Sequence, residues 1–307
     1  MKPIDAVMIL GPTACGKTSV ALNLAQWIPS EIISMDSALV YRGMDIGTAK
    51  PTKEEMNGIP HHLIDILDPT ETYSAASFAT DTEILIEEIR SRNKLPLIVG
   101  GTMLYAKALM DGLSNIPATT VEVRNQIKAE LEVCGIQKLY ERLASRDPVT
   151  ASRLKPTDVQ RISRALEVLE MTGLPLTSFY GKEQGTKFKI LRIGLMPSDR
   201  KVLHEMIAKR FDLMLEMGFI DEVTKLKENP NLEKDCTSMR CVGYRQAWEY
   251  LEGNVDFQSF REASIAATRQ LAKRQMTWMR SMDQLILIDS LKEDCNVLIK
   301  KIVEEHM

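Results

Sequence analysis

The sequence predicts an α/β fold in which a three-layer core with a parallel sheet is interrupted by an all-helical insertion domain. Three observations lead to this prediction. Apolar runs of strand length alternate with helical segments, the first run ends in the octapeptide GPTACGKT, and apolar strands stop between about residues 117 and 187. We therefore assign residues 1–116 and 188–307 to the core and residues 117–187 to the insertion.

The octapeptide fits G-x-x-x-x-G-K-[ST], the pattern of a phosphate-binding loop, or P-loop. It joins AVMILG (6–11), apolar throughout like a buried parallel strand, to GKTSVALNLAQWI (16–28), which has helical spacing. Backbone N–H groups and the positive end of the helix dipole then form an anion site. The lysine of this pattern contacts the terminal phosphate, and the threonine hydroxyl binds Mg²⁺. The predicted loop residues are Gly11, Pro12, Thr13, Ala14, Cys15, Gly16, Lys17 and Thr18, with Thr18 as the magnesium ligand.

The rest of the P-loop core follows from the same alternation. Predicted strands are EIISM (31–35), HHLIDIL (61–67), LPLIVGG (95–101), FKILRIGLM (188–196) and QLILIDS (284–290). Predicted core helices cover residues 77–93, 102–113, 200–217 and 259–282 and the C-terminus. Four helical segments with Thr or Asp caps and Gly or Pro breaks, at 119–133, 136–146, 148–154 and 157–173, make up the insertion.

Composition limits the possible functions. The 307 residues are 44% hydrophobic and 26% charged, with a formal net charge of −3, so a nucleic-acid partner would have to meet local basic patches. No paired C-x-x-C spacing occurs among Cys15, Cys134, Cys236, Cys241 and Cys295, which favours reduced thiols in a cytosol. The first apolar run is too short for a signal peptide or membrane span, so we expect a cytoplasmic protein without membrane contact.

Two polar residues follow core strands, where ligands bind in open α/β sheets. Asp36 ends the second strand. It is either a helix or turn cap, or a general base or hydrogen-bond acceptor for an attacking N–H or O–H group. Thr102 follows the pair Gly100-Gly101, and it is a helix N-cap, a ligand contact, or both. Glycines at that strand end let backbone and ligand approach closely.

Several features disfavour a hydrolysing triphosphatase. The strand at 95–101 ends in glycines rather than in an aspartate that would hold Mg²⁺ through water, and no N-K-x-D element is present. Asp65 is a weak candidate for that aspartate and is otherwise structural. His61 and His62 lack further ligands at recognisable spacing, so we interpret them as polar loop or core residues.

Three stretches carry basic residues without acidic ones, at 160–166, 240–245 and 264–282. In the third stretch, Arg269, Lys273 and Arg280 share one helix face. A charged face is often merely solvated, but three such stretches favour contact with RNA or DNA, where each neutralised phosphate adds salt dependence.

Taken in order, GPTACGKT, SMDSALVYRGMDIGTAKP, HHLID, VGGTMLY, QRISRALEV, SMRCVGYRQAWEYLEG and ATRQLAKRQMTWMR cover most of the chain. This series resembles the tRNA dimethylallyltransferases, also called tRNA isopentenyltransferases, in the bacterial form that lacks a C-terminal zinc finger. The resemblance implies transfer of a dimethylallyl group from dimethylallyl diphosphate to N6 of adenosine 37 in tRNA, with release of pyrophosphate. The loop would then hold the diphosphate of a prenyl donor, with Mg²⁺ as cofactor.

The resemblance also implies residue roles. Asp36 and Thr102 would be catalytic and, on the resemblance alone, so would Arg210. The family often has serine where Cys15 stands, but that position acts through its backbone. The implied tRNA contacts are Asp36, Ser37, Ala38, Leu39, Thr102, Arg124, Gln160, Arg161, Ile162, Ser163, Arg164, Arg240, Cys241, Val242, Gly243, Tyr244, Arg245, Lys273, Arg274, Gln275, Met276, Thr277, Trp278, Met279 and Arg280.

Two other functions remain open from the residues themselves. A small-molecule or nucleoside kinase would bind ATP in the same loop but would not need the basic helices. A non-catalytic RNA-binding ATPase would hydrolyse ATP in response to RNA and transfer no alkyl group. No heptad seam or exposed edge stands out, so we expect a monomer.

Overall fold

A computed structural model of the chain describes residues 3–114, 116–181 and 184–307. In these ranges six strands form one parallel sheet, in the spatial order β3-β2-β4-β1-β5-β6. The strands are β1 (Ala6–Leu10), β2 (Ser30–Met35), β3 (His61–His62), β4 (Leu95–Gly100), β5 (Ile190–Leu195) and β6 (Ile286–Ile288).

Helices connect and cover these strands. They are α1 (Lys17–Trp27), α2 (Lys53–Met56), α3 (Ala75–Ser91), α4 (Met103–Asp111), α5 (Val121–Arg146), α6 (Pro148–Ala151), α7 (Val159–Thr172), α8 (Arg200–Glu216), α9 (Phe219–Lys227), α10 (Tyr244–Leu251), α11 (Phe257–Arg280) and α12 (Cys295–Glu304). Short 3-10 helices cover Leu176–Phe179 and Ser238–Arg240.

The sheet is buried on both faces, which explains why its strands are apolar rather than alternating. On one face, Val7 and Ile9 of β1 pack in a cluster with α1 and α12. On the other, Met8 and Leu10 pack with α3 and α4. Helices therefore cover both sides of the sheet, and the predicted three-layer α/β core is confirmed.

Strand order places the functional loops together. β1 lies between β4 and β5, and β4 also pairs with β2 along its whole length. Because all strands are parallel, the carboxyl ends of β1, β2 and β4 meet at one edge of the sheet. In doubly wound sheets that edge is where ligands bind.

A third cluster of buried residues joins the segment after β2 to α8, α9, α10 and α11. Its largest fully buried members, Tyr41, Phe219, Tyr244 and Phe260, are at most 1% exposed. Phe219 meets the ring of Tyr244 edge-on, with centroids 5.1 Å apart. Close aromatic packing of this kind holds α9 against α10.

The segment from Asp111 to Gly185 forms its own compact unit. It contains α5, α6, α7 and the first 3-10 helix around a core that includes Leu139, Leu143 and Leu166, each without solvent exposure. At Gly135 the helix α5 is interrupted by a left-handed residue (φ 75°), at the place where the sequence predicts two separate helical segments.

The predicted strand over residues 61–67 is wrong beyond its first two residues. Only His61–His62 pairs with β2, because Leu63 and Asp65 adopt left-handed backbone conformations (φ 60° and 56°) that end the ladder. Asp65 instead accepts a hydrogen bond of 2.5 Å from Nζ of Lys50, whose side chain is only 5% exposed. This ion pair gives Asp65 a structural role.

All five cysteines are free, as the lack of paired spacing predicts. Across the described ranges, no helix is both long enough and apolar enough to cross a membrane.

Candidate active site

Three loops meet at the carboxyl edge of the sheet. Residues 11–16 follow β1, residues 36–38 follow β2, and residues 101–102 follow β4. Ser37 donates its backbone N–H to Oγ1 of Thr102 over 3.0 Å, and Thr102 donates its own N–H to the carbonyl of Met35 over 3.3 Å. These bonds hold the ends of β2 and β4 against each other.

The loop after β1 has the geometry of an anion site. Ala14 and Gly16 are left-handed (φ 65° and 87°), and α1 begins at Lys17 without any side-chain cap. The first N–H groups of α1 therefore lack a capping acceptor and favour an anion. Nζ of Lys17 donates to the carbonyl of Pro12 over 2.8 Å, which keeps its charge beside the loop.

Two cavities open at this edge, and they share Ala14 and Arg210 in their walls. The first, here called the strand-edge cavity, has a volume of about 550 Å³. The second, the loop cavity, has about 630 Å³. Predicted site residues in the wall of the strand-edge cavity are Thr13, Ala14, Asp36, Ser37, Ala38, Thr102, Arg210, Arg240, Cys241, Val242, Gly243, Tyr244, Arg274, Gln275 and Trp278. Those in the loop cavity are Ala14, Gly16, Lys17, Thr18 and Arg210.

Of the two roles that its sequence position leaves open, the structure shows Asp36 in that of a turn cap. Its Oδ1 accepts the backbone N–H of Ala38 over 2.8 Å, which is a turn cap. Among the residues described, nothing donates to its other carboxylate oxygen. The cap therefore leaves one oxygen for a ligand in the strand-edge cavity.

Arg210, on α8, is a charged group in need of a partner. Burial lowers the pKa of its guanidinium, and the negative charge of Asp36 acts in the opposite direction. An arginine nevertheless stays protonated in proteins. It has no hydrogen bond or ion pair with any residue in the described ranges, so an anion at the junction of the cavities would satisfy its donors.

Thr102 serves the helix start only with its backbone. Its carbonyl accepts the N–H of Tyr105 over 2.9 Å, as at the first turn of a helix. Its hydroxyl is engaged by Ser37 and so does not cap α4. The side chain therefore positions the residue that follows Asp36.

The fit of this site to Mg²⁺ depends on Thr18. The described part of the chain holds no group of three or more His, Cys, Asp or Glu side chains placed to bind a metal. Thr18 is exposed in the first turn of α1 and lines the loop cavity beside Lys17. Mg²⁺ commonly takes few protein ligands and completes its shell with phosphate oxygens and water. Thr18 suits such an ion only when a phosphate is bound.

Other predicted residues line neither cavity. Gly11, Pro12 and Cys15 are buried behind the loop, where burial raises the pKa of the Cys15 thiol. Leu39 is half-buried and accepts the N–H of Asp65 at its carbonyl, and Arg245 is exposed.

Helix α11 divides its predicted contacts between two environments. Met276 and Met279 are at most 4% exposed and pack in the core. Lys273, Thr277 and Arg280 are exposed, and none of them lines the strand-edge cavity.

Arg124, Gln160, Arg161, Ile162, Ser163 and Arg164 belong to the second unit. Arg124, Gln160 and Arg161 are exposed, Ser163 is half-buried, and Ile162 is in the core of that unit. Arg164 donates to Oγ1 of Thr119 and to the carbonyl of Pro117 over 2.9 Å, so it anchors the chain before α5.

Sequence reasoning missed Glu222 on α9. Its carboxylate accepts the backbone N–H groups of Asp45, Ile46 and Gly47 over 2.9, 2.7 and 3.2 Å and the hydroxyl of Tyr244 over 2.5 Å. Gly47 and Tyr244 both line the strand-edge cavity, so Glu222 ties two of its walls together. A single glutamate in an amphipathic helix gives no sequence signal for this role.

This arrangement defines a P-loop α/β protein. Its anion site lies on one side of Arg210, and the carboxylate of Asp36 lies on the other. The sequence model of the IPP transferase family matches residues 39–282, and the chain belongs to that family. The family predicted from the order of motifs is thus confirmed.

Individual relatives agree with the family assignment. The tRNA dimethylallyltransferase of Ralstonia pickettii is 53% identical, over 98% of this chain and 95% of its own length. The crystal structure of the Bacillus halodurans tRNA isopentenylpyrophosphate transferase is similar with a TM-score of 0.72 at 38% identity, over 98% and 96% of the two chains. A eukaryotic dimethylallyltransferase described as acting on tRNA gives a TM-score of 0.79 at 28% identity, over 97% of this chain and 77% of that one.

Proposed function

We propose that this protein prenylates tRNA, transferring a dimethylallyl group from dimethylallyl diphosphate to N6 of adenosine 37 and releasing diphosphate. The observation that carries the proposal is the position of Arg210, which has no protein partner in the described structure and lies between the loop and Asp36. The family relatives support the same chemistry, since the names they carry describe tRNA dimethylallyl transfer.

The donor diphosphate binds at the loop in this proposal. Loop N–H groups and Lys17 contact its oxygens from one side, and Arg210 contacts them from the other. As the allylic C–O bond breaks, the electron pair leaves with the diphosphate, and negative charge builds there. Fixed donors at that position stabilise the transition state more than the ground state.

The acceptor adenine enters the strand-edge cavity. Its N6 amine is a weak nucleophile because the lone pair is delocalised into the ring. The free oxygen of Asp36 accepts an N6–H hydrogen bond, and it takes the proton as the N6–C bond forms. The base must first leave the anticodon-loop stack, at a cost of a few kcal/mol.

Mg²⁺ supplies Lewis-acid stabilisation of the leaving diphosphate when it is bound. Thr18 is the protein ligand in this proposal, for the reasons given above. Its hydroxyl would supply one oxygen ligand to the ion.

We also propose that the protein acts as a cytoplasmic monomer. The edge strands β3 and β6 have two and three residues, too short to pair with another copy. The free cysteines are suited to a reducing compartment.

Nucleoside analysis tests the reaction. The protein is incubated with dimethylallyl diphosphate and an anticodon stem-loop that carries adenosine 37, and the digested RNA is examined by mass spectrometry for N6-dimethylallyladenosine. A stem-loop with inosine at position 37, which lacks the 6-amino group, is the matched control. Product in the inosine RNA, or its absence from the adenosine RNA, contradicts the proposal.

Thermal denaturation separates the donor from ATP, the ligand that the kinase and ATPase hypotheses require. We expect dimethylallyl diphosphate with Mg²⁺ to raise the melting temperature more than ATP at equal concentration, since only a ligand that binds the native state stabilises it. Greater protection by ATP, together with ATP turnover, would favour a kinase or ATPase.

Lys17→Ala should abolish most diphosphate binding, because a point charge and its phosphate contact are lost together. The fold should survive, since Lys17 is half-buried in the wall of an open cavity and its ammonium group bonds no described residue except Pro12. Calorimetric titration with pyrophosphate measures the affinity, and circular dichroism checks the fold. Binding and steady-state kinetics equal to those of the parent protein would show that the loop does not hold the reacting diphosphate.

The exposed cations of α11 should contribute to tRNA binding and not to donor binding. Changing Lys273 and Arg280 together to Gln should weaken tRNA binding. The slope of the logarithm of the binding constant against the logarithm of the salt concentration should become shallower by no more than about two. Donor affinity should stay within about twofold and kcat at saturating tRNA should change little, because neither side chain lines the loop cavity or the strand-edge cavity.

Filter binding of tRNA across several salt concentrations measures the slope. Lys300→Gln with Lys301→Gln is the matched control, since it removes two cations from α12, which packs on the other face of the sheet. An unchanged slope with lost kcat would assign Lys273 and Arg280 to catalysis rather than to RNA binding.

A further inference from the structure

Gln275 joins three elements of the site through one carboxamide. It is on α11, and its side chain reaches the carboxyl edge of the sheet, where the residue is only 7% exposed. Its Oε1 accepts the backbone N–H of Thr13 over 2.8 Å. Its Nε2 donates to the carbonyl of Gly101 over 2.9 Å. The amide thus links the phosphate-binding loop to the end of β4.

The fit around this amide is close. A Cβ atom at position 101 would come within 2.4 Å of Nε2 of Gln275, so the glycine is required for the carboxamide to reach the strand end. The N–H of Thr13 and the carbonyl of Gly101 together favour a side chain that offers one acceptor and one donor at fixed positions. The glycine pair at this strand end therefore makes room for the protein's own side chain as well as for a ligand.

Thr13 stands at the turn where the loop changes direction. The next residue, Ala14, is left-handed without being glycine, a conformation that costs energy unless its surroundings hold it. The bond from Thr13 to Gln275 lies directly before this turn. It also satisfies the N–H of Thr13 within the protein, so this N–H is not available to the phosphate.

We infer that Gln275 is a positioning residue of the diphosphate site, which holds the loop in its anion-binding conformation from helix α11. The inference rests on the proposed function for the identity of the anion. It assigns Gln275 to the donor side, whereas the family resemblance implies a contact with tRNA. Its substitution should therefore change diphosphate affinity in the absence of any RNA.

Two variants separate positioning from simple packing. Gln275→Met keeps the length of the side chain and removes both hydrogen bonds. Gln275→Glu keeps an acceptor for the N–H of Thr13. In the ionised form, however, the other carboxylate oxygen faces the carbonyl oxygen of Gly101, and two acceptors cannot form a hydrogen bond. When protonated, the introduced carboxyl offers one acceptor and one donor, as the native amide does. The neutral form is favoured by burial, which raises the pKa of a carboxyl above its usual value near 4.3.

Affinity for inorganic pyrophosphate with Mg²⁺ is measured by calorimetry from pH 8 down to pH 5.5 for the full-length protein and each variant. Gln275→Met should bind roughly tenfold more weakly at every pH, as expected when the one bond that holds the loop, from Thr13, is lost. Gln275→Glu should bind weakly at pH 8 and recover towards the parent affinity as the pH falls and the carboxyl is protonated.

Each value is expressed relative to the parent protein at the same pH, because pyrophosphate and neighbouring groups also titrate. The charged and titratable groups that line the strand-edge cavity with Gln275 are Asp36, Arg210, Arg240, Cys241, Tyr244 and Arg274. Cys15 and Lys17 are in the same loop as Thr13. The parent protein contains all of these groups, so the ratio cancels their direct effect on pyrophosphate binding.

Gln270→Glu is the matched control. It introduces the same charge on the same helix at an exposed position outside the strand-edge cavity. Its relative affinity should stay within about twofold of the parent protein and show no recovery at low pH. A pH-dependent recovery in this control would show that net charge on α11, rather than the contact to Thr13, controls binding.

Two results overturn the inference. One is parent-like pyrophosphate affinity in Gln275→Met, and the other is a relative affinity of Gln275→Glu that does not change with pH. If Gln275→Met fails to fold, the recovery in Gln275→Glu still decides the question. If the parent protein transfers the prenyl group but its pyrophosphate affinity is insensitive to residue 275, this inference fails and the proposed function stands.

Discussion

Asp36→Ala is expected to slow the chemical step of prenyl transfer by roughly 10²- to 10⁴-fold, the range usual for a positioned acid–base group. The oxygen that remains free of Ala38 can take the N6 proton, and no other carboxylate lines the strand-edge cavity in the described structure. Single-turnover kinetics with prebound donor and tRNA measure this step apart from binding.

Asp36→Asn distinguishes a base from a cap. The asparagine carbonyl can still accept the N–H of Ala38, but the side chain cannot take a proton at neutral pH. We therefore expect a rate almost as low as that of Asp36→Ala, with the fold intact. Asp283→Asn, which removes an exposed carboxylate, is the control and should leave the rate unchanged. If Asp36→Asn turns over at the parent rate, Asp36 is only a turn cap.

Arg210→Met is expected to change activity and stability in opposite directions. Loss of a cation directed at the developing diphosphate charge should lower kcat/KM by about 10²- to 10³-fold. The same change removes a partly buried charge that has no hydrogen bond or ion pair with the described residues, so the free energy of unfolding should rise by about 1 kcal/mol. Loss of the attraction to Asp36 moderates this gain.

Kinetics with both substrates and urea unfolding without ligands measure the two effects. Arg210→Lys is the control, because it keeps the charge but loses the planar fork that matches two phosphate oxygens, and it should retain part of the activity. A variant Arg210→Met that is both active and less stable would show that Arg210 is a structural residue.

Most of the core could be predicted because its signals are local. A strand, a glycine-rich turn and a helix in succession give β1, the loop and α1 directly from the sequence. The predicted strand at 61–67 failed because an apolar run does not reveal backbone conformation, and Leu63 and Asp65 are left-handed. The ion pair between Lys50 and Asp65 that holds this turn joins residues whose separation in sequence carries no periodic pattern.

Without the family resemblance, catalytic side chains could be predicted only where they directly follow a strand. Asp36 and Thr102 were found in this way, because the carboxyl ends of parallel strands must share one edge. Arg210 and Glu222 are on helices remote in sequence, and their spacing is that of ordinary amphipathic helices. The spacing of residues along a helix does not indicate which cavity a charged side chain will face.

The α/β class, the anion loop and the family follow from the amino-acid sequence, since each depends on neighbouring residues or on the order of motifs. Tertiary structure decided which residues share the two cavities and what their polar atoms bond. It left one oxygen of Asp36 and the guanidinium of Arg210 without protein hydrogen bonds in the described chain, and it placed Gln275 between Thr13 and Gly101. The physical reason is that hydrogen bonds and desolvation depend on distances across the fold, which packing sets and local sequence does not encode.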